Sequence, residues 1–327
     1  MKHRTVRGLD VSELGLGAAQ FGNLYRATSD AEVEGAVSEA WEAGIRYFDT
    51  APHYGLGLSE RRLGRELRAH PRHEYVLSTK VGRLLVANPA GAHTRDDEGF
   101  DVPASLRRKW DFSADGVRRS LEQSLERLGL DRVDIVYLHD PDDHLDQAIA
   151  EALPALARLR DEGVITAIGA GMNDSAALAR IVAESDVDVV MCAGRYTLLE
   201  QGALDDLLPA AEHRGVGVVI AGVYNSGLLA QRRPPADAKF DYLPAPPELI
   251  ERANRIADIC ESHSVTLPEA ALAFPLQHSS TASVVVGART AGQVRGTIER
   301  AGASIPVGLW SDLVSAGLLR EESVGSA

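Results

Sequence analysis

Four side chains of complementary proton chemistry stand at the ends of short apolar runs or just beyond them. Asp49 closes the run Tyr47–Asp49, Lys80 closes Tyr75–Lys80, and His139 closes Ile135–His139. Tyr54 lies in the tight loop after Asp49, Thr50-Ala51-Pro52-His53-Tyr54-Gly55. A charge directly after an apolar run is not a solvated helix face; it must be paired or used. A free phenol, with a pKa of about 10, is a poor proton donor or acceptor at neutral pH. A nearby ammonium favours the phenolate and lowers that value, so Lys80 is expected to activate Tyr54. Asp49 would hold Lys80 charged and oriented, and His139 would bond the same substrate oxygen. A tyrosine tuned in this way is a general acid for a carbonyl oxygen or a general base for a hydroxyl. The sequence offers no stronger nucleophile and no metal-ligand set, so proton chemistry at a carbonyl points to hydride transfer with a nicotinamide. Lys80 leaves a lyase open as a second class, because a lysine at a strand end can form a Schiff base. A non-catalytic cofactor sensor is disfavoured by the complete set of four.

The elements that would position these groups form a repeating pattern. Strands are expected at Leu14–Ala18, Tyr47–Asp49, Tyr75–Lys80, Ile135–His139, Ala167–Gly171, Val187–Cys192, Val216–Ala221 and Ser283–Val286. Their near-continuous apolar character is that of parallel strands buried on both faces. Amphipathic helices are expected at Asp30–Ala43, Ala114–Leu128, Asp146–Asp161 and Leu204–His213, most of them closed by glycine. About eight such units without a break in composition read as one (β/α)₈ TIM barrel domain over residues 1–327, with an extra C-terminal helix at Val307–Leu319. An open doubly wound sheet would need a glycine fingerprint after its first strand; Gly15-Leu16-Gly17 lacks the third glycine. Two long loops, Gly82–Phe112 and Asn225–Pro247, follow strands and therefore sit at the C-terminal mouth, where active sites of such barrels lie. Trp110, Phe112, Phe240 and Tyr242 make them candidate substrate walls.

Composition bounds the rest. The 327 residues carry a net charge of −13, with 45% hydrophobic and 25% charged residues. That balance argues against nucleic acid and anionic membranes as partners. The first residues do not read as a signal peptide and no apolar run approaches a membrane span, so a cytoplasmic enzyme acting on a small molecule is expected. Cys192 and Cys260 read as buried free thiols. Among the remaining polar residues, His53 and Trp110 are candidates for substrate contact, and Asp140 is expected to pair with an arginine. His144, His213, His263 and His278 are expected to be solvated, and Trp41 to lie in a helix core.

The segments "RYFDTAPHYGLGLSERRLG", "LSTKVG" and "DRVDIVYLHD" resemble the aldo-keto reductase superfamily, in order and in spacing, from about Leu14 to about Glu299. "DTAPHYG" and "LHDPD" look more like its sugar-dehydrogenase branch, with a pyridoxal-oxidising branch nearby. The resemblance implies a barrel that binds NAD or NADP at its mouth without a Rossmann domain. It implies Tyr54 as proton donor and acceptor, Lys80 and Asp49 as its tuners, and His139 orienting the substrate carbonyl. Oxidation of an aldose of the L-fucose or D-threo type to a lactone at the anomeric carbon is the implied activity. NADPH-dependent reduction of small aldehydes or ketones, or a pyridoxal-type dehydrogenation, is the alternative. The implied cofactor-binding positions are Asp49, Asn173, Tyr224, Ser226, Gly227, Leu228, Gly287, Arg289 and Gln293. The family's serine in the nicotinamide-gripping segment is absent from Gly169–Asn173, and its glutamine falls near Ala193. Gln293 stands where the family often carries a cation for the extra phosphate of NADP, which slightly favours NAD, with Arg289 as the competing feature.

Overall fold

Successive residues of a barrel strand point alternately into the barrel and out toward the helices. That parity explains which residues reach the site. In the computed structural model, which describes residues 1–241 and 243–323, the barrel strands are β1 (Leu14–Gly17), β2 (Tyr47–Asp49), β3 (Val76–Val81), β4 (Ile135–His139), β5 (Ala167–Met172), β6 (Val189–Ala193), β7 (Gly217–Ala221) and β8 (Thr281–Gly287). Each pairs in parallel with its neighbour in sequence, and β8 returns to β1 to close the barrel. The expected runs all form, with ends moved by no more than two residues. Phe48, Leu77, Val81, Val136 and Leu138 face outward into the larger core, against the helices. Tyr47, Val76, Ile135 and Tyr137 face inward, in a smaller core that fills the barrel. The same inward parity carries Asp49, Ser78, Lys80 and His139 to the mouth.

The helices are α1 (Asp30–Glu42), α2 (Leu58–Leu67), α3 (Ala114–Leu128), α4 (Leu153–Asp161), α5 (Ser175–Glu184), α6 (Leu207–Arg214), α7 (Pro247–Ser262), α8 (Leu267–Ala273), α9 (Ala291–Ala301) and α10 (Val307–Ser315). Ser29 and Glu32 form a reciprocal capping box that starts α1, and Gly129 ends α3 with φ of 62°. Two expected helices are shorter than the sequence suggests, and a third runs its expected length with a change of hydrogen-bond pattern inside it. Asp146–Asp161 is interrupted by a π-helical turn at Ala148–Ala152, because Pro154 has no N–H for the helical ladder and its ring crowds the turn before it. Leu204–His213 begins only at Leu207, where the Asp206 carboxylate accepts from the Leu207 N–H. The C-terminal helix stops at Ser315, near Gly317 with φ of +68°.

Several short elements escaped the sequence reading. A hairpin of His3–Val6 and Leu9–Ser12 turns on Arg7 and Gly8, both at positive φ, and sends Val6 and Val11 into the interior core. The long segment after β3 is ordered around an antiparallel pair, Arg83–Ala87 with Leu106–Trp110. The segment after β7 holds a smaller pair, Lys239–Phe240 with Leu243–Pro244; Tyr242 lies outside the described residues. Trp41 is half-buried and stacks on His70 beneath the Arg46 guanidinium. His144 rests against Phe112 and Trp110 rather than in open solvent, and His263 pairs with Asp312.

On the outer face, one charged contact ties β3 to its helices. Glu60 of α2 is completely buried; it accepts from Thr79 Oγ1 at 2.8 Å and from Arg127 Nε of α3 at 2.5 Å. Thr79 stands between Ser78 and Lys80, so this contact fixes the strand that carries the lysine. Removing Arg127 would leave a buried carboxylate unanswered. Arg127→Ala is therefore expected to cost about 3–5 kcal/mol in chemical denaturation. A loss of about 1 kcal/mol or less, as for a surface pair, would contradict this assignment.

Candidate active site

The loop that carries Tyr54 is held by a backbone contact that only glycines permit. A Cβ on Gly55, whose φ is +63°, would lie 2.2 Å from the Gly22 carbonyl oxygen, and one on Gly22 would lie 2.5 Å from the Tyr54 carbonyl carbon. Beneath the loop, Ser59 Oγ donates to the Ala18 carbonyl and meets Thr50 Oγ1 at 2.8 Å. The phenol is thus aimed back over the barrel mouth.

There Lys80 Nζ donates to Asp49 Oδ2 at 2.6 Å, to the Thr50 carbonyl at 3.1 Å and to Tyr54 Oη at 3.1 Å. Asp49 and Lys80 are 3% and 2% exposed, so neither charge has bulk water to stabilise it. The second oxygen of Asp49 accepts from Ser78 Oγ at 2.7 Å. Ser78 Oγ meets Tyr47 Oη, and Tyr47 Oη meets Tyr137 Oη, both at 3.1 Å. A chain of hydroxyls therefore runs from the carboxylate down the barrel axis. Burial works against the Lys80 ammonium, but Asp49 and Tyr54 outweigh it and the lysine is held charged. The expected depression of Tyr54 is overturned in its net direction. Burial pushes the phenol up more than Lys80 pulls it down, and Asp49 adds to the rise. Tyr54 rests as a protonated phenol, with Lys80 limiting how far it climbs.

His139 lies beside Tyr54, with ring centroids 5.7 Å apart. Burial pushes its pKa well below the usual range, and the Arg83 and Lys80 charges push the same way, so it is neutral. Its Nδ1 is buried without a partner among the described residues, while its Nε2 lies 3.7 Å from Asp140 Oδ2. Asp140 pairs with Arg83, as expected of it. His53 packs against both His139 and Tyr54 and meets Arg83 and Arg108 from the hairpin after β3. Trp110 is 44% exposed, with the Arg83 guanidinium 4.3 Å above its ring, at the outer edge of the mouth.

A groove of about 400 Å³ leads away from Asp49 and Tyr54. Of the cofactor positions carried over from the resemblance, Asp49, Asn173, Ser226 and Gly287 line it. Gly227, Arg289 and Gln293 do not belong to its lining. Leu228 is fully buried in the outer core and Tyr224 packs against the same core, so neither side chain faces the groove. The turn at Asn225–Gly227 explains the exchange: Asn225 and Ser226 take φ of 44° and 57°, which brings both to the groove while Tyr224 and Leu228 pack against the core. Arg289 is 8% exposed, and its guanidinium donates to the Leu24 and Arg26 carbonyls and to Thr28 Oγ1. Gln293 accepts from the Arg289 N–H.

Sequence reasoning missed Gln20 and Asn225. Both line the groove, and each has a buried side-chain oxygen without a partner among the described residues. It also missed Ser78, although strand parity two residues before Lys80 would have found it. A larger cavity, of about 580 Å³, lies among the N-terminal hairpin, α8 and α9; it is lined by Arg4, Glu13 and Leu276 and is remote from the strand ends that carry the four groups. Among the described residues, no group of three or more His, Cys, Asp or Glu is placed to hold a metal ion.

Known proteins share this architecture and sequence. The chain is 53% identical to a D-threo-aldose 1-dehydrogenase of Pseudomonas sp. over 317 residues, covering 95% of this chain and 96% of that protein. It is 40% identical to a pyridoxal 4-dehydrogenase of Microbacterium luteolum, again covering 95% of this chain and 96% of the relative. The structure of an aldo-keto reductase from Bacillus halodurans in its holo form superposes with a TM-score of 0.75 at 26% identity, covering 100% of this chain and 98% of that one. The profile of the aldo/keto reductase family matches residues 13–305. With its closed eight-stranded barrel and a buried Asp49–Lys80–Tyr54 cluster at the strand ends, the chain belongs to the aldo/keto reductase family of oxidoreductases.

Proposed function

We propose that the protein oxidises an aldose at its anomeric carbon to the lactone, with Tyr54 exchanging the proton. The observation that carries this reading is the Lys80–Tyr54 contact at 3.1 Å at the barrel mouth, made by a lysine that is itself buried and paired with Asp49. The high identity to a sugar 1-dehydrogenase supports the substrate class. In the oxidation, Tyr54 first gives up to solvent the proton it holds at rest, and the phenolate that Lys80 sustains against burial then takes the proton of the anomeric hydroxyl while the carbon–hydrogen bond at the same carbon breaks. Lys80 stabilises the negative charge on that oxygen and lowers the proton affinity that burial has raised. Neutral His139 bonds the reacting oxygen. A positioned general base of this kind contributes roughly 10²–10⁴ in rate. His53 and Trp110 would form the substrate side of the mouth. The more distant likeness to a pyridoxal dehydrogenase keeps a second carbonyl substrate in view.

Aldo-keto reductases use NAD(P)H. The groove suits such a group: an added Cβ on Gly287 would lie 2.5 Å from the Gln20 amide, and Gln20 and Asn225, which line the groove, each carry a buried side-chain oxygen without a partner among the described residues. Bound there, a nicotinamide dinucleotide supplies the two-electron acceptor. Asn173, Ser226 and Gly287 would hold it beside Gln20 and Asn225, with Asp49 at the reacting end. Arg289 already serves three oxygen acceptors, so it has little capacity to clasp a further phosphate, and Gln293 carries no charge. NAD is therefore the proposed cofactor.

A screen of aldoses and pyridoxal with both oxidised cofactors, read by the absorbance of the reduced nicotinamide, tests the function. An aldose with NAD is expected to be the best pair. Tyr54→Phe is expected to abolish that turnover and leave cofactor affinity nearly unchanged; wild-type-like turnover in this variant would defeat the mechanism. For the cofactor, fluorescence titration is expected to show NADH binding at least as tightly as NADPH. Tighter NADPH binding that is lost in Arg289→Ala would reverse the assignment.

A further inference from the structure

His53 is surrounded by groups that decide where its proton sits. Arg108 Nε donates to His53 Nδ1 at 2.6 Å, and Arg83 Nη1 approaches the same nitrogen at 3.2 Å. Arg108 also donates to the His53 backbone carbonyl at 2.9 Å, which fixes the residue at both ends. Guanidinium groups cannot accept, and they stay protonated in proteins. The lone pair must therefore be on Nδ1, and the single proton of a neutral ring on Nε2. Burial lowers the ring's pKa to about 2, with Arg83, Arg108 and Lys80 adding to the effect. The carboxylates around it, Glu98 at 3.6 Å from Nδ1 and Asp96 and Asp140 on the two arginines, do not restore the proton. They do balance these two arginines: two guanidinium charges meet three carboxylates, so neither Arg83 nor Arg108 is a free cation for an anionic substrate.

His53, His139 and Tyr54 surround one point at the mouth. Their ring centroids are 5.3 Å apart for the two histidines and 5.8 Å and 5.7 Å from Tyr54 to each. If Tyr54 and His139 hold the reacting oxygen, His53 is placed for an oxygen on the neighbouring carbon. We propose that Arg83 and Arg108 lock His53 as the Nε2–H tautomer, making it a fixed donor to the oxygen vicinal to the reacting carbon and setting specificity for uncharged polyhydroxy substrates. This rests on the proposed aldose oxidation. It adds two residues on the β3 hairpin, Arg83 and Arg108, as positioning residues that act through His53. A site built to bond a hydroxyl rejects the analogue that lacks it, because the site's own polar group is then left unpaired.

The experiment has two arms. In the first, kcat/KM is measured for an aldose and its 2-deoxy analogue in the wild type, His53→Leu and His53→Gln. The wild type is expected to prefer the hydroxylated sugar by at least about 10-fold, as for a donor left unpaired by the analogue. His53→Leu should bring the ratio close to one, and His53→Gln, which can accept and donate at once, should restore part of it. A ratio unchanged in His53→Leu, or no preference in the wild type, overturns the assignment. In the second arm, ¹⁵N spectra of histidine-labelled protein follow the His53 ring from pH 5 to 9. The neutral Nε2–H pattern should persist throughout; a protonated ring or an Nδ1–H form in that range overturns the lock. A wild type that oxidises no aldose would defeat the proposed function, and with it the substrate part of this inference. Oxidation with unchanged discrimination would defeat this inference alone.

Discussion

An ammonium and a carboxylate 2.6 Å apart, both nearly inaccessible to water, survive in a protein interior only when their remaining lone pairs and protons are also satisfied. The Asp49–Lys80 pair meets that condition through its neighbours. Ser78 serves the second carboxylate oxygen, and the Thr50 carbonyl and Tyr54 phenol take the other lysine protons. Strand parity supplies all of these but Thr50 and Tyr54, which come from the loop after β2. A polar line, Tyr137–Tyr47–Ser78–Asp49, thus runs through the barrel core beside apolar residues such as Val76, Ile135, Val189 and Val219. Removing one member would leave a buried polar group or charge exposed to nothing, so the cluster constrains the strands as much as the strands position the cluster.

The same pair accounts for the behaviour of Tyr54. A buried phenol holds its proton, which suits an acid and hinders a base. The ammonium acts against burial, and the Asp49 carboxylate partly cancels the ammonium. The balance leaves a phenol that can serve both directions of an oxidation–reduction, with its reach set by how closely Lys80 approaches. Rigidity matters for that reach. The Gly22–Gly55 contact fixes the loop, and the Glu60–Thr79 contact fixes the strand from outside.

Much of this was legible before any coordinates. Asp49, Lys80 and His139 could be found because each ends an apolar run, where a charge needs a reason. The eight barrel strands were legible because parallel strands buried on both faces are apolar throughout. The same uniformity hid Ser78 and the Tyr47–Tyr137 hydroxyls, since inward and outward positions look alike until the strands are closed into a ring. Segment matching placed Tyr224 and Leu228 at the cofactor, but three successive residues at positive φ rotate the turn so that Asn225 faces the groove instead. The helix expected over Asp146–Asp161 does run through Pro154, and the proline shows itself only as a π-helical turn ahead of it. The role of Arg108 was not legible, because it depends on an antiparallel pairing between residues more than twenty positions apart, within a segment that reads as loop.

The central claim is that Lys80 sets the proton affinity of Tyr54 against the effect of burial. It is tested most directly by titrating the Tyr54 phenol itself, through the ¹³Cζ signal of labelled tyrosine, in the wild type and in Lys80→Met. Loss of the ammonium removes the charge that favours the phenolate, so Tyr54 in the variant is expected to ionise at a higher pH than in the wild type. An unchanged or lower ionisation pH in Lys80→Met would show that the lysine only fills space beneath the phenol, and would contradict the account.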